Sequence, residues 1–199
     1  MTPIDLGPAT RLMADLVSGV DDDQLDGPTP CPDYTLGDLL DHVGGLAVAF
    51  TMAATKAEIP GGSQGPSADA SRLGEGWRER ITEDLERLAE AWRDPGAWAG
   101  MTQAGGIDLP GEVAGLVALD EVVIHGWDVA RASGRAFAPD EQLLQTLHGF
   151  LEQFSGPGKE AERGALFGPE VQVPAGAPLL DRVVGMAGRD PAWSPRSVG

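Results

Sequence analysis

Leu119-Asp120-Glu121-Val122-Val123-Ile124-His125-Gly126-Trp127-Asp128 sets a glutamate and a histidine four positions apart in a segment that is otherwise mostly apolar. On a helix, positions i and i+4 share one face, so Glu121 and His125 project side by side. His42, another of the chain's three histidines, sits inside a second apolar segment, residues 36–50. Two imidazoles and a carboxylate converging from two helices make a three-ligand metal site with open positions. The competing reading is a Glu–His hydrogen bond in the core or at a bundle edge, because a buried ionised carboxylate is costly unless paired or metal-bound. His42 on an inward face tips the balance towards metal, since buried polar groups from two helices need a shared partner.

Working outward, the remaining apolar periodicity is helical. Residues 4–20 read as an amphipathic helix on Ala9, Leu12, Met13, Leu16, Val17 and Val20. Gly27-Pro28-Thr29-Pro30-Cys31-Pro32 is a rigid loop that no helix survives. Thr35-Leu36-Gly37-Asp38 then resembles a capping box with Asp in the usual Glu position, opening a helix to about residue 57. A Gly/Ser/Pro-rich loop over 60–69 leads to a third helix from about 70 to 92, with Trp77, Ile81, Leu85, Leu88 and Trp92 inward. Residues 93–111 read as a long irregular connection, of the kind that is usually functional or mobile. A fourth helix spans about 112–132, a fifth about 139–154, and a short last one about 178–187 after an extended stretch over 167–174. There is little strand pattern and no internal repeat. The fold class is therefore all-α, a four-helix bundle with extra elements.

Composition bounds the partners. Hydrophobic residues make up 42% of the 199, enough for a real core. No apolar run approaches the length of a membrane span, and the N-terminus lacks a signal-peptide pattern, so a membrane partner is not expected. Net charge is −17, from 31 acidic against 14 basic residues, with no basic cluster of the kind that releases counterions from nucleic acid. The single cysteine, Cys31, excludes an intrachain disulfide framework and fits a reducing cytoplasm.

Other polar residues carry bland and functional readings side by side. His148 lies at the margin of an apolar stripe, where a lone imidazole is usually an edge residue with one hydrogen bond. Asp128 is placed to support His125 from behind, or to bond backbone or an arginine such as Arg131. Asp38 is accounted for by its capping role. Cys31 has no basic sequence neighbour to lower its pKa and reads as a packed, inert thiol. Trp77, Trp92 and Trp127 are at helical spacing and read as core.

Thr29-Pro30-Cys31-Pro32-Asp33-Tyr34-Thr35 running into Leu39-Leu40-Asp41-His42 resembles a motif of the mycothiol-dependent maleylpyruvate isomerase N-terminal family, in the DinB-like superfamily of metal-binding four-helix bundles. The Glu-x-x-x-His-Gly-Trp-Asp core of 119–130 resembles that family's second motif. The tail resembles a short-chain actinobacterial branch, through Phe167-Gly168-Pro169, Leu180-Asp181-Arg182 and Gly188-Arg189-Asp190-Pro191-Ala192-Trp193. The resemblance implies an up-down-down-up helix core and a divalent metal held by His42, Glu121 and His125. Zinc is the metal it commonly implies; nickel and iron fit the same donor set. It further implies residues 1–163 as a DinB-like metal-binding bundle, with 164–199 as an extended segment and short helix packed on it. The founding isomerases carry an additional C-terminal domain that this chain is too short to contain, so their substrate does not carry over directly.

Two function classes stay open. One is an enzyme that uses a low-molecular-weight thiol, mycothiol, for isomerisation, addition or S-transfer on a small electrophile, with Arg72, Arg78 and Arg80 as candidates for an anionic substrate. The other is a metal-containing binding or interaction protein without turnover. A small-molecule substrate and a thiol are the expected partners. Neither a general base nor an oligomeric state is legible.

Overall fold

A computed structural model describes residues 3–57, 65–163 and 167–195, so residues 60–64 of the expected Gly/Ser/Pro-rich loop lie outside the described residues. Four long helices form the core: α1 (Gly7–Gly19), α2 (Leu36–Thr55), α3 (Trp77–Ala91) and, after a short α4 (Pro95–Trp98) and a hairpin, α5 (Gly111–Ser133). Local sequence sets some of their ends. At α2 the capping box closes both ways: the Thr35 hydroxyl accepts from Asp38 N–H (3.2 Å) and Asp38 Oδ2 accepts from Thr35 N–H (3.1 Å). At α1, Asp5 Oδ1 accepts from Gly7 N–H (2.9 Å), and Gly134, at φ 72°, ends α5.

The helix order around the core follows from who packs on whom. Helices α1 and α2 each pack against both α3 and α5, leaving α1/α2 and α3/α5 on the diagonals. Directions follow from paired ends. Asp5 meets Arg93 at one end of α1/α3, and Arg78 donates to the Val20 carbonyl at the other, so these helices are antiparallel. Gly44 lies against Ile81, and Trp92 Nε1 donates to the Phe50 carbonyl, so α2 and α3 are parallel. His42 meets His125, while Thr102, just before α5, donates to the Ala53 carbonyl, so α5 runs back along α2. This is the up-down-down-up arrangement, and the described residues are all-α apart from one small hairpin.

Two sequence expectations need correction. The third helix does not begin at 70: a 3-10 turn at Ala70–Arg72 is followed by Gly74 and Gly76 at φ 64° and 69°, which delays α3 to Trp77. The connection over 93–111 is not irregular. It contains α4 and an antiparallel hairpin, β1 (Met101–Ala104) and β2 (Ile107–Pro110), turned by Gly105 and Gly106 at φ 58° and 83°. Two successive positive φ angles are what a type I′ turn needs, and glycine meets that need without strain.

Helix α2, at 20 residues and a mean hydropathy of 1.2, is long and apolar enough by length and composition to cross a membrane, contrary to the expectation that no run comes near. Leu36, Leu39, Leu40, Val43, Ala47 and Phe50 are buried within the bundle, which gives that apolarity a place in the core. After α5, helix α6 (Glu141–Leu151) packs with α8 (Leu179–Met186); α7 (Glu160–Arg163) lies between them in sequence, and residues 167–178 are neither helix nor strand. Arginines tie this segment down: Arg163 donates to the Gly168 and Met186 carbonyls (both 2.6 Å), and Arg131 of α5 donates to the Trp193 carbonyl.

Candidate functional site

Helices α2 and α5 bring His42, Glu121 and His125 together, each offering a ligand atom within 4.8 Å of the other two. The imidazole rings of His42 and His125 stand edge to face, with centroids 5.2 Å apart. Their outer nitrogens are already engaged. His42 Nδ1 donates to the Pro66 carbonyl (3.0 Å), and His125 Nδ1 donates to Asp128 Oδ2 (3.0 Å). A carbonyl can only accept, so Nδ1 of His42 carries its proton and Nε2 is the nitrogen left for coordination. The same holds for His125 when neutral, and a carboxylate behind a histidine is a recurring partner of metal-bound imidazole.

Local sequence explains each placement. Pro66 reaches His42 because Gly45 leaves room: a Cβ there would lie 2.5 Å from the Pro66 ring. Asp128 is one turn beyond His125 on the same face, and its side chain is fully buried. A buried carboxylate needs a counter-charge, and it comes from 61 residues away. Arg189 donates from Nε and Nη2 to both carboxylate oxygens at 3.0–3.2 Å.

Electrostatics prepare the set. Burial, then the nearby His125, pushes the His42 pKa down, so His42 stays a neutral donor. Burial opposes charge on Glu121, but the hydrogen bond and charge of His125 hold it below the usual carboxylate range. Burial opposes charge on His125 too, yet its bonds to Asp128 and Glu121 win, and its pKa is pushed up to about 9. Its Nε2 lies 3.0 Å from Glu121 Oε2, within hydrogen-bond distance, so an ion could take this place only by displacing the proton between them. Next in sequence, Asp120 is buried; desolvation, then the charge of Glu121, raises its pKa to about 8, and its Oδ1 has no hydrogen-bond partner.

The other sequence candidates separate. Asp128 does stand behind His125, paired with Arg189 rather than Arg131. Cys31 lies near the site, within electrostatic range of Arg189 and Asp128; burial pushes its thiol up despite that arginine. His148 is elsewhere, between Arg182 and Glu152 on the α6/α8 side. Arg72, Arg78 and Arg80 anchor loops: Arg72 to Asp41 (2.5 Å), Arg78 to Val20 and Asp22 (2.7 and 2.6 Å), Arg80 to Leu73 (3.0 Å).

Two residues near the centre escaped sequence reading. Arg189 gave no local signal, since its partner is remote. Tyr34 packs its ring against His42 at 5.3 Å, held by the proline loop, where the Thr29 hydroxyl donates to the Tyr34 carbonyl (2.9 Å) and Pro28 bridges to Thr35. A small cavity lined by Met13, Val43, Phe50, Leu85 and Val122 reaches Glu121 from the bundle interior.

Comparison with known proteins places this geometry. The family model described as the mycothiol maleylpyruvate isomerase N-terminal domain matches residues 6–130, a span that holds all three converging residues. Two uncharacterized proteins of Mycobacterium tuberculosis, one each from strains CDC 1551 / Oshkosh and H37Rv, are 30% identical over 187 residues, 91% of this chain and 93% of theirs. Among solved structures, mycothiol-dependent maleylpyruvate isomerase superposes with a TM-score of 0.57 and a mutant of it with 0.55. Both are 22% identical, over 77% of this chain and 72% of theirs, a likeness of fold.

Proposed function

Because this chain belongs to the mycothiol maleylpyruvate isomerase N-terminal domain family, we propose that it is a metal-dependent enzyme that uses a low-molecular-weight thiol, mycothiol, on a small electrophile. His42, Glu121 and His125 hold the divalent ion, zinc by donor type, with nickel or iron compatible with the same set. The observation that carries this reading is the state of the two histidines: each has Nδ1 engaged by a fixed acceptor, which leaves Nε2 beside Glu121.

A divalent ion held by these residues would supply acidification of a bound thiol, whose thiolate is the nucleophile at neutral pH. The protein's part is positional. Asp128 fixes the His125 ring, and the Pro66 carbonyl fixes His42. Glu121 brings one negative charge, which partly offsets the charge of a divalent ion. With His42, Glu121 and His125 as its holders, an ion would have room for a thiol, and the chemistry it would supply is activation of that thiol towards an electrophilic carbon, for addition, double-bond isomerisation or S-transfer. The second reading is a metal-containing binding protein with the same ligands and no turnover.

A cobalt-substituted sample distinguishes them. Adding mycothiol is expected to produce a sulfur-to-metal charge-transfer band that strengthens as pH rises through the lowered thiol pKa. Thiol consumption with enediones or epoxides completes the enzyme reading. No thiol-dependent spectral change, together with no thiol consumed, leaves the binding protein as the account.

A further inference from the structure

Several arginines tie down the C-terminal segment, Arg182 of α8 to His148 of α6 among them, and Arg189 is the one bonded to a carboxylate at the candidate site. Arg131 and Arg163 donate to backbone carbonyls, of Trp193 and Pro191 and of Gly168, Phe154 and Met186. Arg189 bonds a side chain, the fully buried carboxylate of Asp128, and Asp128 Oδ2 is shared with His125 Nδ1. A continuous chain of charged hydrogen bonds thus runs from the C-terminal segment to a residue of the candidate metal centre.

The backbone aims Arg189. Helix α8 closes with Gly188 N–H on the Gly185 carbonyl (3.0 Å) and Arg189 N–H on the Val184 carbonyl (2.8 Å). That is the paired bonding of a Schellman motif, with Gly188 at φ 88° as its left-handed residue. A Cβ on Gly188 would also come within 2.9 Å of the Gly168 backbone, so glycine is required twice over. The turn fixes where Arg189 leaves the helix, and the guanidinium fork then fixes the plane of the Asp128 carboxylate.

We infer that the C-terminal segment is a working part of the metal centre: Arg189 is a positioning residue that orients His125 through Asp128, and metal occupancy and docking of this segment are coupled. The inference rests on the metal reading above. An ion held by His125 would make its Nδ1–H a stronger donor to Asp128 and so would tighten the carboxylate against Arg189. By reciprocity, a docked segment raises metal affinity by the same factor.

The test compares zinc affinity, by competition with a chelating dye, in the wild-type chain and in Arg189→Met, Arg189→Lys and Arg131→Met, with hydrogen exchange of residues 179–195 measured with and without zinc. Arg189→Met is expected to weaken zinc binding about 10- to 100-fold, the range for loss of a partner behind a metal ligand. Arg189→Lys restores part of it, because one ammonium keeps the charge but not the fork. Arg131→Met cuts a different tether, leaves the Asp128 chain intact, and is expected to weaken zinc binding far less. Zinc should slow exchange over 179–195 in the wild-type and Arg131→Met proteins but not in Arg189→Met. Should Arg189→Met fail to fold, Arg189→Lys carries the same comparison. Equal losses at Arg189 and Arg131, or exchange indifferent to zinc, overturn the inference while leaving the metal reading intact. Absence of zinc binding in the wild-type protein overturns the metal reading itself and the inference with it.

Discussion

Helices α3 and α5 both carry acids and bases at helical spacing, and they use them in opposite ways. On α3, Trp77, Ile81, Leu85 and Leu88 form one buried stripe, and the charged pairs lie at the surface or its edge, as exposed Arg87 does with exposed Glu83 (3.6 Å) and half-buried Asp84 (2.8 Å). On α5, every residue over 114–130 is buried except the part-buried Glu121, so Asp120, His125 and Asp128 lie inside the protein. Solvent screens the α3 pairs to near nothing, whereas the α5 charges must satisfy one another or bind something. The i,i+4 pattern alone does not separate the two cases. Burial does, and burial depends on the apolar residues between the charges.

The sharpest break of this contrast is Asp128→Ala. It leaves Arg189 and His125 without their shared carboxylate, and a loss of about 3–5 kcal/mol in urea unfolding is expected from removing one partner of a buried ionic network. A loss no greater than that of a surface carboxylate would make α5 electrostatically like α3.

The pH dependence of the metal-free protein tests the same burial with the sign fixed in advance. Asp120, raised to about 8 by burial and then by Glu121, stays protonated in the folded state while the unfolded chain ionises at about 4. Its folded form therefore holds the extra proton, and stability falls as pH rises between those values. His125, raised to about 9, contributes stability that is full below its unfolded pKa of about 6.5 and is lost as pH climbs through its folded one. These two act in one direction and His42, with its lowered pKa, in the other up to its unfolded value of about 6.5, so melting in the presence of chelator should drop from there towards pH ~9. Asp120→Asn should remove the lower part of that slope. A flat wild-type profile would mean that these groups are hydrated in solution.

A smaller effect sharpens the contrast within α5 itself. A Cβ at Gly115 would lie 2.6 Å from the Trp98 ring, at the apolar end of the helix. Gly115→Val is expected to cost about 1–3 kcal/mol by overpacking and to leave zinc affinity unchanged. Smallest of all, Arg87→Ala on α3 should shift the melting temperature only slightly, because Arg87 and Glu83 are exposed and solvent screens the pair that Arg87 makes with the part-buried Asp84.

How much of this was legible varies with the range of the interaction. The capping box at Thr35 and Asp38, the inward stripes and the juxtaposition of Glu121 with His125 are local, and periodicity gave them. His42 joined them because its own stripe faced inward, although which helix it faced was not in the pattern. The late start of α3 was missed because Gly74 and Gly76 interrupt a periodic run that otherwise continues. The hairpin was missed although Gly105-Gly106 is a known turn pair, because β1 and β2 are only four residues each. Arg189 and Tyr34 were out of reach for another reason. Nothing near Arg189 announces Asp128, and only the folded loop lays Tyr34 against His42. The bland reading of Cys31 rested on sequence neighbours, and Arg189 approaches it through tertiary structure alone.

The most direct measurement is elemental analysis of protein purified without a metal-affinity tag, alongside His42→Ala. The account predicts about one divalent ion per chain, zinc foremost, removed by chelator with a fall in melting temperature, and lost in His42→Ala, whose melting then ignores chelator. Traces of several metals well below one per chain, with wild-type melting unchanged by chelation and by His42→Ala, would contradict it.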